Sequence, residues 1–206
     1  MNRERAYHHG NLREALVVAG AELARTGGPD AVVLRAASRE AGVSHNAVYR
    51  HFANREDLLA AVAQRCMTRL AELMIERTER ITIRDRARRA SARLGEVGRA
   101  YIDFARTEPG WFRTAFSSAR PHSDDGPAAE PDSLPNPYDV LRAALDDLVE
   151  VGAVTRARRV GAEYTAWSAV HGLSSLLIDG PLRTLPEPQV EQAIGIVLSG
   201  VLRSLT

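Results

Sequence analysis

Lysine is absent from this chain of 206 residues, so its 27 basic side chains other than histidine are all arginines. Against 26 carboxylates they leave a formal net charge of +1. This excludes a protein that holds nucleic acid through bulk charge, and any such affinity must come from a local patch. Arginine offers planar, bidentate donors for phosphate and guanine, although its use alongside abundant Ala, Gly and Val also reads as GC-rich codon bias. The single cysteine, Cys66, excludes an intrachain disulfide framework and suits a reducing cytoplasm. No segment carries the roughly 20 apolar residues a membrane helix needs, and the polar start has no apolar signal core. A cytoplasmic protein without membrane contact is expected. A glycine-rich phosphate loop, an HExxH pair and a nucleophile motif are all missing. Adjacent His8 and His9 near a terminus do not make a metal site, and Ser174-Ser175 beside His171 lack a third partner. No catalytic residue, metal ligand or cofactor is therefore assigned, and enzymatic activity is not expected.

What is present is helical periodicity from end to end, with no strand-like alternation, which predicts an all-α fold. The most informative stretch is Leu34 to Phe52, LRAASREAGVSHNAVYRHF. Leu34, Ala37, Ala41 and Val43 share an apolar side, and Gly42 falls where a first short helix must stop with positive φ. Ser44 follows as an N-cap for a second helix from about His45 to Phe52. That helix buries Val48 and Phe52 and turns His45, Asn46, Tyr49 and Arg50 outward, a polar and cationic face that suits a DNA major groove. A helix, a glycine and a capped helix also make an ordinary αα-corner, so the flanks matter. Upstream, Leu12, Leu16, Ala19 and Leu23 recur at helical spacing until Gly27, Gly28 and Pro29 end the run. Downstream, Asn54 caps a helix whose first turn carries Glu56 and Asp57.

The run YHHGNLREALVVAGAELARTGG, continued by EAGVSHNAVYRHFANREDLLAAVA, resembles the amino-terminal domain of the TetR family of transcriptional regulators. The specific parts are the AGVS turn, the VYRHF close of the recognition helix and the NREDLL start of the next. AWSAVHGLSSLL near the end is similar to the W-x-x-x-H-G effector-domain motif of a subgroup that begins YHHG. The resemblance implies a three-helix, helix-turn-helix DNA-binding domain over residues 1–53. A helical ligand-binding and dimerisation domain over 54–206 would follow. It further implies that Ser44, His45, Asn46 and Ala47 open the recognition helix, with Asn46 placed for adenine and Ala47 for a thymine methyl. Arg35 matches a position that reaches guanine; Tyr49, His51 and Arg55 match phosphate contacts, and Arg50 suits either task. Orientation of the neighbouring backbone is an equal reading of His51. Val33 departs from the family pattern, where Thr or Ser caps the first helix of the pair and contacts a phosphate. Arg3 and Arg5 read as a minor-groove arm or as a plain terminus.

Beyond residue 53, Leu59, Val62, Cys66, Leu70 and Leu73 predict one long helix to about Arg80. Leu94, Val97, Tyr101 and Phe104 mark the next, which Glu108-Pro109-Gly110 ends. The run Arg84, Arg86, Arg88, Arg89, Arg93 reads as a solvated helix start. A short helix is expected around Trp111 to Phe116, then a proline-rich loop over about 117–137, then a helix through Val140, Leu141, Leu145 and Leu148. From Thr155 to Asp179 one helix carries two stripes, and the last helix, Pro188 to Leu205, is also apolar on two faces. One face covers the chain's own core; the other predicts a homodimer through these last two helices. The aromatic set Tyr101, Phe104, Trp111, Phe112, Phe116, Tyr164 and Trp167, with His171, is expected to line a pocket for a small apolar or aromatic ligand. The expected function is a dimeric repressor that binds a palindromic double-stranded DNA operator and is released by that ligand. A ligand-independent regulator and a helical small-molecule-binding protein are the alternatives.

Overall fold

The computed structural model describes residues 3–117 and 134–205, with the backbone alone for 3–11. Most of the expected proline-rich loop (118–133) and the side chains of Arg3, Arg5, His8 and His9 lie outside the described residues. In chain order the helices are α1 (Arg3–Gly27), α2 (Leu34–Glu40), α3 (His45–Val48), α4 (Arg55–Glu79), α5 (Arg86–Thr107), α6 (Pro109–Ala115), α7 (Pro137–Glu150), α8 (Arg156–Arg159), α9 (Ala162–Ile178) and α10 (Glu187–Leu205). A 3-10 turn at Pro29–Ala31 joins α1 to α2, and the described residues contain no strand. The fold is all-α, as the periodicity predicts. None of the described helices is long and apolar enough to cross a membrane.

Packing divides the chain into two compact units. The first runs to Met67 and resumes at Glu108, so it holds α1 to α3, the first half of α4, and α6. Its core is built by Leu16, Val32, Val48, Leu58 and Val62, all fully buried, with Phe52 beside them. Gly20 lets α1 approach α4, since a Cβ there would stand 2.6 Å from Val62 Cγ2. A boundary after residue 53 would give all of α4 to the second domain. Instead α4 changes partners along its length: Leu58, Val62 and Cys66 belong to the first core, Leu70 and Met74 to the second unit.

In the second unit α5 is central, and α7, α9 and α10 pack on it. Gly98 lets two helices converge there, because a Cβ would lie 2.6 Å from Leu198 and 3.4 Å from Val170. Arg99 forks onto Glu191 of α10 at 2.7 and 2.9 Å and also donates to Asp103. At the start of α5 the Asp85 carboxylate accepts from Arg88 N at 2.8 Å. Arg84, Arg86, Arg88 and Arg89 are exposed, whereas Arg93 pairs with Asp147. The expected helix from Thr155 to Asp179 is broken: α8 stops at Arg159, Val160 is extended, and Gly161 sits at φ 72°. An apolar stripe runs through the break without marking it, and the glycine is the one local sign.

Candidate nucleic-acid interface and effector-side cluster

The α2–α3 turn is closed by the backbone itself. Gly42, at φ 67°, donates to Arg39 O at 3.1 Å, and Val43 donates to Ser38 O at 2.9 Å. This is the Schellman arrangement, which satisfies carbonyls at the end of α2 and needs positive φ after it. Ser44 is extended at ψ 145° but its hydroxyl makes no capping bond, contrary to the expected N-cap. The recognition element is also shorter in α-helical form than His45 to Phe52. After Val48 it tightens into i→i+3 bonds, Arg50 N to Ala47 O at 3.3 Å and His51 N to Val48 O at 2.9 Å. Val48 and Phe52 are buried as expected and pin the element to the core. The Arg13 guanidinium lies 5.2 Å above the Phe52 ring.

This leaves Arg35, Ser44, Asn46, Tyr49 and Arg50 exposed, and His45, Ala47 and His51 half-buried. His45 stacks edge-on against Tyr49, with ring centroids 5.0 Å apart, which ties the first turn to the next. Arg55 reaches back to the α1–α2 connection. Its Nε donates to Val32 O at 3.0 Å and an Nη to Pro29 O at 2.7 Å, so it braces the α1–α2 connection. Next to it Asn54 accepts from Asp57 N at 2.8 Å while Asp57 accepts from Ala53 N at 3.2 Å, the reciprocal cap that opens α4. Arg39 was not singled out by sequence, yet like Arg35 and Arg50 it is exposed and forms no ion pair among the described residues. Its signal was its place in the last turn before Gly42. Arg25 and Arg65, by contrast, pair with Glu108 and Glu14 at 2.6 Å, so in the first unit the α2–α3 side carries exposed cations that have no ion pair among the described residues.

The eight effector-side candidates separate into two groups. Trp111, Phe112 and Phe116 lie on or just after α6 in the first unit. Trp111 Nε1 donates to Ala21 O at 2.7 Å, and its ring carries the Arg25 guanidinium at 5.1 Å. The Phe112 and Phe116 rings are 5.0 Å apart, and Phe116 packs on the first core. At Gly110 a Cβ would lie 2.2 Å from the carbonyl oxygens of Ala24 and Arg25, so α6 starts directly on the α1 backbone.

The second unit holds Tyr101, Phe104, Tyr164, Trp167 and His171. Phe104 is buried and Tyr164 is exposed. Trp167 Nε1 donates to the Tyr101 hydroxyl at 3.1 Å, and that hydroxyl lies 2.8 Å from His171 Nδ1. Tyr138, unnoticed at the edge of the proline-rich stretch, joins them with its ring 5.8 Å from Trp167. Burial pushes the Tyr101 hydroxyl pKa well up and lowers that of His171 below 6.5. The unfolded chain therefore protonates His171 first as pH falls below 6.5, and folding stability drops through that window. His171→Gln is expected to flatten this drop in chemical-denaturation midpoints measured from neutral pH downward; an unchanged slope would show that His171 is not its source. Burial likewise pushes the Cys66 thiol up to about 12.

Three helices around one core, the last two short and joined by a tight turn, define a helix-turn-helix protein followed by an all-helical second unit. The description "Bacterial regulatory proteins, tetR family" matches residues 16–62, and "Tetracyclin repressor-like, C-terminal domain" matches residues 94–198. Among solved structures, a Rhodococcus sp. RHA1 protein of unknown function is 25% identical with a TM-score of 0.67, over 97% of each chain. A TetR-family transcriptional regulator from Streptomyces coelicolor is 23% identical with a TM-score of 0.57, covering 95% of this chain and 99% of that one. TetR from Acinetobacter baumannii AYE is 16% identical with a TM-score of 0.60, over 91% and 93%. No curated protein matches. The chain belongs to the TetR family of transcriptional regulators, with a DNA-binding amino-terminal domain.

Proposed function

We propose that this regulator is a homodimeric repressor that reads a palindromic operator and is released by a small ligand. The observation that carries the DNA part is the α2–α3 surface, where Arg35, Arg39 and Arg50 stand exposed beside Asn46 and Tyr49, without carboxylate partners among the described residues. Asn46 pairs with adenine, Arg35 reaches guanine, Ser44 and Tyr49 hold phosphates, and Arg50 serves either task. His45 and Ala47 sit close to the groove floor, and His51 and Arg55 orient the backbone behind them. One short helix makes few contacts, so a tethered second copy supplies the affinity, with recognition helices about 34–36 Å apart or a multiple of that.

Operators selected from random DNA by the full-length protein test this reading; the expected result is an inverted repeat. Asn46→Ala is then expected to lose about 1–3 kcal/mol of discrimination at one base pair per half-site. Tyr49→Phe should instead weaken every sequence alike. Uniform loss for both variants removes the Asn46 assignment, and selection of no motif removes the operator reading.

The dimer reading rests on the outer faces of α9 and α10. Tyr164, Leu176 and Ile196 are exposed there, and so are Gly172 and Gly195. For release, the ligand must bind one conformation of the second unit better than the other. Tyr101, Trp167, His171 and Tyr138 are its contacts in this reading, with Trp111, Phe112 and Phe116 serving transmission. The route is covalent and short: α5 ends at Thr107 and α6 begins at Pro109 on the α1 backbone, with Glu108 alone between them. Displacement of α5 then pulls on α1 through α6, in addition to the lever supplied by α4.

A further inference from the structure

Ser174 is completely buried in α9, and its hydroxyl has no hydrogen-bond partner among the described residues. An orphaned buried hydroxyl costs on the order of 1–3 kcal/mol and calls for a partner from outside the chain. A helical serine can satisfy itself on the carbonyl four residues back. Ser91 does this onto Ala87 O at 3.1 Å, but Ser174 does not. Ser174 follows His171 by three positions and Trp167 by seven, so the three share one face of α9. That face lies against α5, because both Trp167 and His171 meet the Tyr101 hydroxyl.

An indole N–H only donates, so the Tyr101 oxygen accepts from Trp167. Its contact with His171 Nδ1 at 2.8 Å runs in the direction that the imidazole tautomer sets. The cation linked to this wall is Arg159, reached through Tyr138, whose hydroxyl donates to Glu163 at 3.4 Å. Arg159 is already held by Asp146 and Glu163 at 2.6 Å each. Among the described residues the wall therefore offers ring faces and the Ser174 hydroxyl, and the cation linked to it is already paired.

We infer that the Trp167–His171–Ser174 face of α9, opposite Tyr101, is a subsite for an uncharged, mainly apolar ligand that carries one oxygen acceptor such as a ketone or ester carbonyl. Ser174 Oγ donates to that oxygen, and the Trp167 and Tyr138 rings cover the apolar part. This deepens the ligand-controlled reading above and rests on it. The burial that disfavours the His171 imidazolium works in the same direction, since it withholds a charge that would draw a carboxylate.

The test uses three probes of one shape, 2-acetonaphthone, 2-naphthoate and 2-ethylnaphthalene, titrated into the 15N-labelled full-length protein. The Trp167 indole N–H resonance, assigned with Trp167→Phe, reports binding. The ketone is expected to shift it and to bind about tenfold more tightly than the carboxylate or the hydrocarbon, and Ser174→Ala to lower ketone affinity about fivefold. In the ligand-free protein Ser174→Ala should raise the melting temperature, because it removes an unsatisfied hydroxyl. Equal or tighter naphthoate binding, ketone affinity unaffected by Ser174→Ala, a lowered melting temperature, or no shift with any probe each overturns the subsite. Operator release is scored separately: ketone binding without release leaves the subsite standing and removes the ligand-controlled reading.

Discussion

Ile196→Arg is expected to leave the fold intact, to convert the protein to a monomer, and to weaken operator binding roughly 10²–10³-fold, the scale of a lost second tethered contact. Ile196 is 60% exposed on α10, an unusual place for a β-branched apolar side chain on a helix that otherwise buries Val190, Ile194 and Val201. Leu176 of α9 is 42% exposed as well. The glycines strengthen the case. A glycine inside a helix costs about 1 kcal/mol relative to alanine, and in its own protomer a Cβ at Gly172 or Gly195 would meet nothing within 4 Å. A helix of a second copy approaching closely gives those positions a reason. A guanidinium at 196 would be solvated in the monomer and stranded in the two-fold interface. Sedimentation velocity and an operator titration of the same variant check the claim. A dimer of unchanged stability would show that another surface joins the copies.

Gly110→Ala is expected to destabilise the protein by about 1–3 kcal/mol through overpacking, or about 2–4 °C in melting temperature per kcal/mol for a chain of this size. The new Cβ would stand 2.2 Å from two carbonyl oxygens of α1, which are backbone atoms without a rotamer to change. Either α6 lifts from α1 or the last turn of α1 deforms. The bond from Trp111 to Ala21 O and the Arg25–Glu108 pair flank this contact, so both are loosened together. Gly98→Ala is the comparison: its Cβ would meet the end of the Leu198 side chain at 2.6 Å, which can rotate away, and the loss should be smaller. Thermal unfolding of both variants, with amide exchange at the end of α1, provides the measurement. Equal melting temperatures for Gly110→Ala and the parent chain would mean that α6 does not sit on α1 as described.

Much of the helix-turn-helix was legible because its signals are local. Gly42 announces a positive φ, Val48 and Phe52 announce the buried side, and Asn54 with Asp57 announces the start of α4; each acts within one turn of its own backbone. Ser44 shows the limit of that reading, since a residue of the right type in an extended conformation makes no capping bond. Arg55 shows another, because the carbonyls of Pro29 and Val32 that hold its guanidinium are more than 20 positions away. On the effector side the aromatic residues were visible but not their grouping. Trp111 and Trp167 look alike in sequence, yet one is committed to α1 and the other to Tyr101.

The sequence by itself determined that the fold is all-α, where most helices begin and end, and which short segment forms the helix-turn-helix. These follow from the 3.6-residue period and from capping groups that interact with their own backbone. Tertiary structure alone decided that α4 is shared between two cores, that α6 belongs with α1, and that Ser174 is buried without a partner among the described residues. Periodicity records that a helix face is apolar. It does not record which surface covers that face, because the partner is chosen by contacts between residues far apart in the chain.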